Sequence, residues 1–184
     1  VLKGEVLMLQ GLVELMTGVV ETVLARVQEA YEYIPDNALM IRSLGIIAIA
    51  LCQQMMGNRQ QAVAVIKEAL SDPTWPPNLR ARLHFSLTIV LYMDADLSGS
   101  MTAAVECLRT IRNLSFVHTR IFADYILGAA QYLQNQTEAA KSSLLKVVDD
   151  RQRANPSYVA YAGFILAYIY LEQGNEAAAD RLLD

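Results

Sequence analysis

The feature that most constrains this chain is a set of five short breaks in otherwise helical, apolar sequence, all in one phase. Thr17-Gly18, Gly57-Asn58, Asp94-Ala95-Asp96, Asn135-Gln136 and Gly174-Asn175 place their reference residues, 18, 57, 96, 135 and 174, 39 residues apart. A fixed period of that length marks a repeat architecture. Other positions keep the phase. Seven residues before the breaks stand Gly11, Ala50, Ile89, Gly128 and Ala167, small in four cases of five, as close approach of two helix backbones requires. Nine residues after them stand Val27, Ile66, Val105, Leu144 and Leu183, all aliphatic, and twelve after the first four come Ala30, Ala69, Leu108 and Val147.

Each period holds two helical patterns. The first set spans roughly 2–16, 38–56, 78–93, 116–133 and 157–173, and the second roughly 19–33, 59–71, 100–113, 137–153 and 176 onward. Apolar residues in the second set recur at helical spacing, as in Ala62, Val65, Ile66, Ala69 and Leu70. Pro35-Asp36-Asn37, Asp72 to Pro77, Asn113-Leu114-Ser115 and Asn155-Pro156 separate the periods with helix stops and caps. A break of two or three residues turns the second helix back antiparallel to the first. Period-two alternation is absent, so no sheet is expected. A lone hairpin cannot cover both its faces, whereas stacked hairpins bury a continuous core. The expected fold is therefore all-α: a right-handed α-solenoid of four full hairpins and a truncated fifth, in one domain over 1–184. Its repeats fall at about 1–36, 37–75, 76–114, 115–153 and 154–184.

Two segments carry a family resemblance. Met56-Gly-Asn-Arg-Gln-Gln-Ala-Val-Ala-Val-Ile-Lys-Glu-Ala-Leu70 and Gln173-Gly-Asn-Glu-Ala-Ala-Ala179 resemble the turn and second helix of a tetratricopeptide repeat. That pattern has a Gly at the turn, Ala five residues on and Ala again seven later, which Gly57, Ala62 and Ala69 match. Gly174 and Ala179 match too, Asn135 and Ala140 match in part, and the third unit departs with Asp96 and Met101. The longer period is similar to the helical-repeat sensor region of MalT-like regulators, the large ATP-dependent LuxR-family bacterial transcription activators. The resemblance implies a region placed between an NTPase module and a C-terminal helix-turn-helix, engaged in inducer sensing and self-association.

Composition narrows the function classes. The 184 residues are 54% hydrophobic and 18% charged, with a net charge of −4, too apolar for disorder and without the basic field that holds nucleic acid. Direct nucleic-acid binding is not expected. Cys52 and Cys107 lie in apolar runs and read as buried reduced thiols, which points to a reducing, cytoplasmic setting. The richest apolar stretches, 44–52 and 158–171, fall short of a membrane span, and Lys3, Glu5 and Glu14 interrupt the first apolar segment, unlike a signal peptide. Asn113-Leu-Ser115 and Asn135-Gln-Thr137 then read as chance matches to a glycosylation acceptor.

Residues that carry chemistry are sparse. A phosphate-cradling Gly-x-x-x-x-Gly-Lys loop is missing, and His84 and His118 have neither Cys nor His at metal-ligand spacing. Asp94/Asp96 sit in a turn and Asp149/Asp150 at a helix end, where acids are turn formers and solvated charges. No catalytic residue, metal or cofactor is expected.

The first helices offer the binding candidates. Their inner face, counted back from each break, reads Leu44, Ile47, Leu51, Gln54 and Met55, then Leu83, Ser86, Val90, Met93 and Asp94. It continues with Phe122, Tyr125, Ala129, Tyr132 and Leu133, and ends in Tyr161, Phe164, Tyr168, Leu171 and Glu172. The face grows aromatic toward the C-terminus. Such a stripe either packs between neighbouring helices or presents phenol-tipped planes to a ligand or protein segment. Leu51, Gln54, Phe122, Tyr125, Tyr132, Tyr161, Phe164 and Tyr168 are the candidate binding residues. Arg42, Arg82 and Arg120 near the helix starts form a candidate anion ladder, against a reading as a solvated rim.

Residues 176–184 supply barely two turns, so Ala179 and Leu182 have little beyond them to pack on. An uncovered repeat end predicts either further protein or end-to-end self-association. Two functions follow as expectations. One is a non-catalytic sensor and interaction domain of a MalT-like regulator, binding a small-molecule inducer or protein segment on its concave face, away from membranes. The other is a general protein-interaction scaffold unconnected with transcription.

Overall fold

The computed structural model describes residues 2–18 and 20–183, and the side chains of all of these except residues 21 and 183. Every regular element among them is an α-helix. The order is α1 (Leu2–Met16), α2 (Val20–Tyr31), α3 (Leu39–Met55), α4 (Arg59–Ser71), α5 (Pro77–Met93), α6 (Leu97–Thr110), α7 (Val117–Leu133), α8 (Thr137–Asp149), α9 (Pro156–Glu172) and α10 (Glu176–Leu183). Pro77 and Pro156 open α5 and α9 at a position where the missing N–H is not needed. Val19, the expected start of the second helix, lies outside the described residues, as does the side chain of Leu183.

Each helix packs against the one before and the one after it, and the odd-numbered helices also touch in succession, α1 on α3, α3 on α5, α5 on α7 and α7 on α9. Among the described residues no two even-numbered helices touch. One cluster centres on Met8, Val23, Val27, Ala48 and Cys52, the next on Ala62, Ile66, Leu83 and Val90, and another on Ile121, Leu144, Val147 and Leu166. Trp75, 8% exposed in the link between α4 and α5, plugs the second of them.

Four of the hairpin turns share one closure. The N–H of Asn58, Asp96, Gln136 and Asn175 donates to the carbonyl five residues earlier, on Gln53, Leu91, Gln131 and Tyr170. That bond needs a left-handed residue just before the donor. Gly57 and Gly174 supply it freely at φ +82° and +70°, Asn135 and Ala95 adopt it at +58°, and Gly18 lies at +84°. For Ala95 the conformation costs about 1–2 kcal/mol.

The third turn therefore pivots on Ala95, one residue ahead of the expected Asp96, and the spacings become 39, 38, 40 and 39. Asp96 instead caps α6, its Oδ1 accepting from the Gly99 N–H at 2.9 Å, which starts that helix at Leu97 rather than at the expected Ser100. The whole third unit slides with it. Thr88 and Ala104 are fully buried where Ile89 and Val105 were expected, and Val105 is 50% exposed. Cys107 takes the inward position assigned to Leu108.

Candidate functional site

The left-handed turn residues define equivalent positions along the odd helices. Thirteen, ten, six and three residues before them lie Leu44, Ile47, Leu51 and Gln54 on α3, and Phe122, Tyr125, Ala129 and Tyr132 on α7. On α9 they are Tyr161, Phe164, Tyr168 and Leu171. On α5 the same count gives Arg82, Phe85, Ile89 and Tyr92. The expected Leu83, Ser86 and Val90 are instead buried, at 0%, 2% and 0% exposure, because the turn arrives one residue early.

Aromatic rings on this row join into one network across three helices. Phe85 meets Phe122 edge-on at 4.8 Å between centroids, and Phe122 meets Tyr158 at 4.4 Å and Tyr125 at 6.1 Å. Tyr125 stacks on Tyr158 at 5.5 Å and faces Tyr161 at 6.4 Å. Burial raises the phenol pKa of Tyr125, and the neighbouring Tyr92, Tyr161 and Tyr158 add to the rise; burial does the same for Tyr158 and Tyr92. These phenols stay neutral near pH 7 and can donate hydrogen bonds. Phe85, Tyr92 and Tyr158 were not singled out from the sequence. The first two hide behind the one-residue slide, and Tyr158 lies one turn before the counted positions.

The candidate binding residues divide by exposure. Leu51 is half-buried between two core clusters, and Gln54 is buried with its Oε1 lacking a hydrogen-bond partner. Phe122, Tyr125 and Tyr132 are half-buried. Tyr161, Phe164 and Tyr168 are exposed at 55%, 52% and 63%, with Leu171 beside them at 50%, and they form one apolar stripe along α9.

The arginines do not form one ladder. Arg42, Arg80 and Arg120 stand fifteen residues before their turns and are the true equivalents; Arg82 sits two residues further on, in the aromatic row. Arg42 pairs with Asp36 at 2.9 Å and lies over the Tyr31 ring. Arg80 donates to the carbonyls of Leu70 and Asp72, and Arg120 pairs with Asp150 and, at 3.9 Å, with Asp124. Arg82 lies against the Met40 thioether, in a cleft of about 380 Å³ shared with Asn78, Ser115, His118 and Thr119. A larger cleft of about 550 Å³ opens between α2, α3 and α4, lined by Tyr31, Asp36, Arg42, Glu68, Asp72 and Trp75.

Other polar groups are tied into the frame. Asp94 pairs with Arg59 at 2.8 Å, Asp96 is the α6 cap, and Asp150 holds Arg120. Asp124, also missed in the sequence, is buried at 3% exposure; burial raises its pKa against the pull of Lys146 and Arg120. Cys52 and Cys107 are free and buried, and burial pushes the Cys107 thiol up to about 12. His84 is half-buried, which lowers its pKa, while His118 is exposed. Among the described residues no helix is long and apolar enough to cross a membrane, and no three His, Cys, Asp or Glu side chains gather as a metal site. Comparison with protein-family models and with curated proteins finds no match for this chain.

Proposed function

We propose that the chain is a non-catalytic interaction domain built as a right-handed, tetratricopeptide-like α-solenoid of 39-residue hairpins, and that it captures an apolar protein segment on the aromatic face of its odd helices. The carrying observation is the α9 stripe of Tyr161, Phe164, Tyr168 and Leu171, half or more exposed and continuous with the ring network on α7. A contiguous exposed apolar row on a folded domain is the signature of a docking face, and aromatic anchors dominate the energetics of such faces. A straight helical stripe suits an amphipathic helix laid alongside it. A sensor role in a MalT-like transcription regulator rests on the resemblance of residues 56–70 and 173–179. In that setting, occupancy of the face would be passed to ATPase and DNA-binding modules outside these 184 residues.

Thermal unfolding with panels of amphipathic peptides, sugars and nucleotides tests the reading. The expected result is a saturable upward shift with the peptide class, lost in Tyr168→Ala and retained in the cleft variant Arg82→Ala. A shift confined to sugars or nucleotides would move the reading to a small-molecule inducer. No shift with any class would overturn it.

A further inference from the structure

Eleven residues after the left-handed turn residue, the first four hairpins all carry a charge: Glu29, Glu68, Glu106 and Lys146. Three of these are ion-paired. Lys3 holds Glu29 at 3.4 Å, Arg109 holds Glu106 at 2.7 Å, and Asp124 holds Lys146 at 3.8 Å. Glu68 has no ion-pair partner among the described residues, and neither has Asp72, one helical turn further on and fifteen residues after Gly57. The N–H of Thr74 donates to Asp72 Oδ1 at 2.8 Å and anchors that carboxylate.

The first hairpin shows these two positions filled. Lys3, fifteen residues before Gly18, sets its ammonium against Glu29 and donates to Tyr33 Oη at 2.7 Å, and Glu29 and Tyr33 stand eleven and fifteen residues after that glycine. One ammonium group therefore bridges both. In the second hairpin the place of Lys3 falls to Arg42, which is drawn away by Asp36 at 2.9 Å and lies over the Tyr31 ring. Arg80 donates to the carbonyls of Leu70 and Asp72 rather than to either carboxylate. At this point the cleft of about 550 Å³ opens, with Ile46, Ile49, Val65 and Ala69 as its apolar wall and Trp75 beside them. Once Arg42 has balanced Asp36, the lining keeps the two negative charges of Glu68 and Asp72. They stand at the C-terminal end of α4, which has no basic residue in its last turn and whose dipole adds to the negative potential.

We propose that this cleft binds a primary amine carried on an aliphatic stem, the ammonium held between Glu68 and Asp72 as that of Lys3 is held between Glu29 and Tyr33, and the stem laid on Ile46, Ile49 and Val65. Two carboxylates fall short of the oxygen donors a Ca²⁺ or Mg²⁺ ion takes, whereas an ammonium group brings three N–H donors to share between them. The apolar wall selects the stem. A diamine fits less well than a monoamine, because its second charge would meet Arg42. The site belongs to α3, α4 and the link after α4, apart from the α9 stripe, and stands or falls independently of the docking face proposed there.

Trp75 is the chain's single tryptophan and lines the cleft, so its fluorescence reports on this site. Titrating the 184-residue chain at pH 7 with n-hexylamine, protonated at that pH, should give a saturable change. Hexan-1-ol and hexanoate, the same stem without the charge or with the opposite one, should bind about tenfold more weakly or not at all. Glu68→Gln and Asp72→Asn alter exposed positions and should keep the helical circular-dichroism signal. Each should weaken hexylamine binding about tenfold or more, and the double variant should abolish it. Nα-acetyl-lysine N-methylamide separates the two sources of such an ammonium. Binding at least as tight as that of hexylamine assigns the site to a lysine side chain, weaker binding to a free amine, and both uphold an ammonium site. A wild-type chain without a saturable response to hexylamine overturns the proposal. So does hexan-1-ol binding as tightly as the amine, or amine binding that survives the double substitution.

Discussion

Helices α7 and α9 present the same kind of side chain at the same positions, Phe122 and Tyr125 on one, Tyr161 and Phe164 on the other, yet their surroundings differ. On α7 the rings are half-buried beneath Phe85 and Tyr158; on α9 more than half of each side chain meets solvent. An aromatic row at helical spacing thus records only that a helix has a face meant to be covered. Whether the row is core or docking surface depends on the neighbour, which the row's own sequence does not specify. Beneath the rows the helices also differ, since α7 carries the buried Asp124 where α9 carries Gly163, both eleven residues before their turns.

The sharpest way to break this comparison is to truncate equivalent rings. Phe122→Ala should lower the unfolding free energy by about 2–3 kcal/mol, from lost apolar burial and ring contacts. In a solution dilute enough to be monomeric, Tyr161→Ala should stay within about 0.5 kcal/mol of the parent. Equal losses in urea titrations would mean that the two faces are covered alike.

Next come the glycines, with effects of opposite sign. A Cβ on Gly128 would stand 2.6 Å from Leu144 Cγ, so Gly128→Ala should destabilise by about 1–3 kcal/mol through overpacking. A Cβ on Gly163 meets only the Leu182 carbonyl oxygen at 3.7 Å, so Gly163→Ala should stabilise by up to about 1 kcal/mol through helix propensity. Melting temperatures that move in the same direction for both would contradict the packing difference between α7 and α9.

The smallest effect is a slope. Burial raises the Asp124 pKa above its unfolded value, outweighing Lys146 and Arg120, while Asp150 adds to the rise. The ionised carboxylate therefore subtracts from stability above the raised folded value, and that loss fades as pH falls toward the ordinary aspartate range. Asp124→Asn should be the more stable chain at neutral pH, with the gap to wild type narrowing on mild acidification. Urea midpoints at several pH values check it, and a gap that widens as pH falls would reverse the assignment.

Helix positions were legible because apolar spacing and turn chemistry agree: α1 and α4 run over the expected residues, α5 and α7 differ from expectation by one residue at the start, and α3 and α9 by one residue at each end. The third unit was read one residue late. Asp96 resembles a turn residue in sequence, but its carboxylate is better used on the Gly99 N–H, which pushes the left-handed position back to Ala95, a residue type that gives no turn signal. That slide concealed Phe85 and Tyr92 and put buried Leu83, Ser86 and Val90 among the counted inner-face positions. Arg42 and Arg120 were equivalent as read, but their acidic partners come from other elements, Asp36 in the link before α3 and Asp150 at the end of α8. No spacing within a single helix announces such pairs.

Because among the described residues every helix touches only helices one or two places along the chain, tertiary contacts stay between neighbouring hairpins. Loop closure then demands little chain entropy, and folding can begin at any hairpin and spread to its neighbours at the speed of low-contact-order proteins. Removing the last hairpin at residue 153 would take away α9 and α10 with no strand or distant segment left behind unpaired. The remaining eight helices would retain their own contacts, and α7 would become the end whose rings meet solvent.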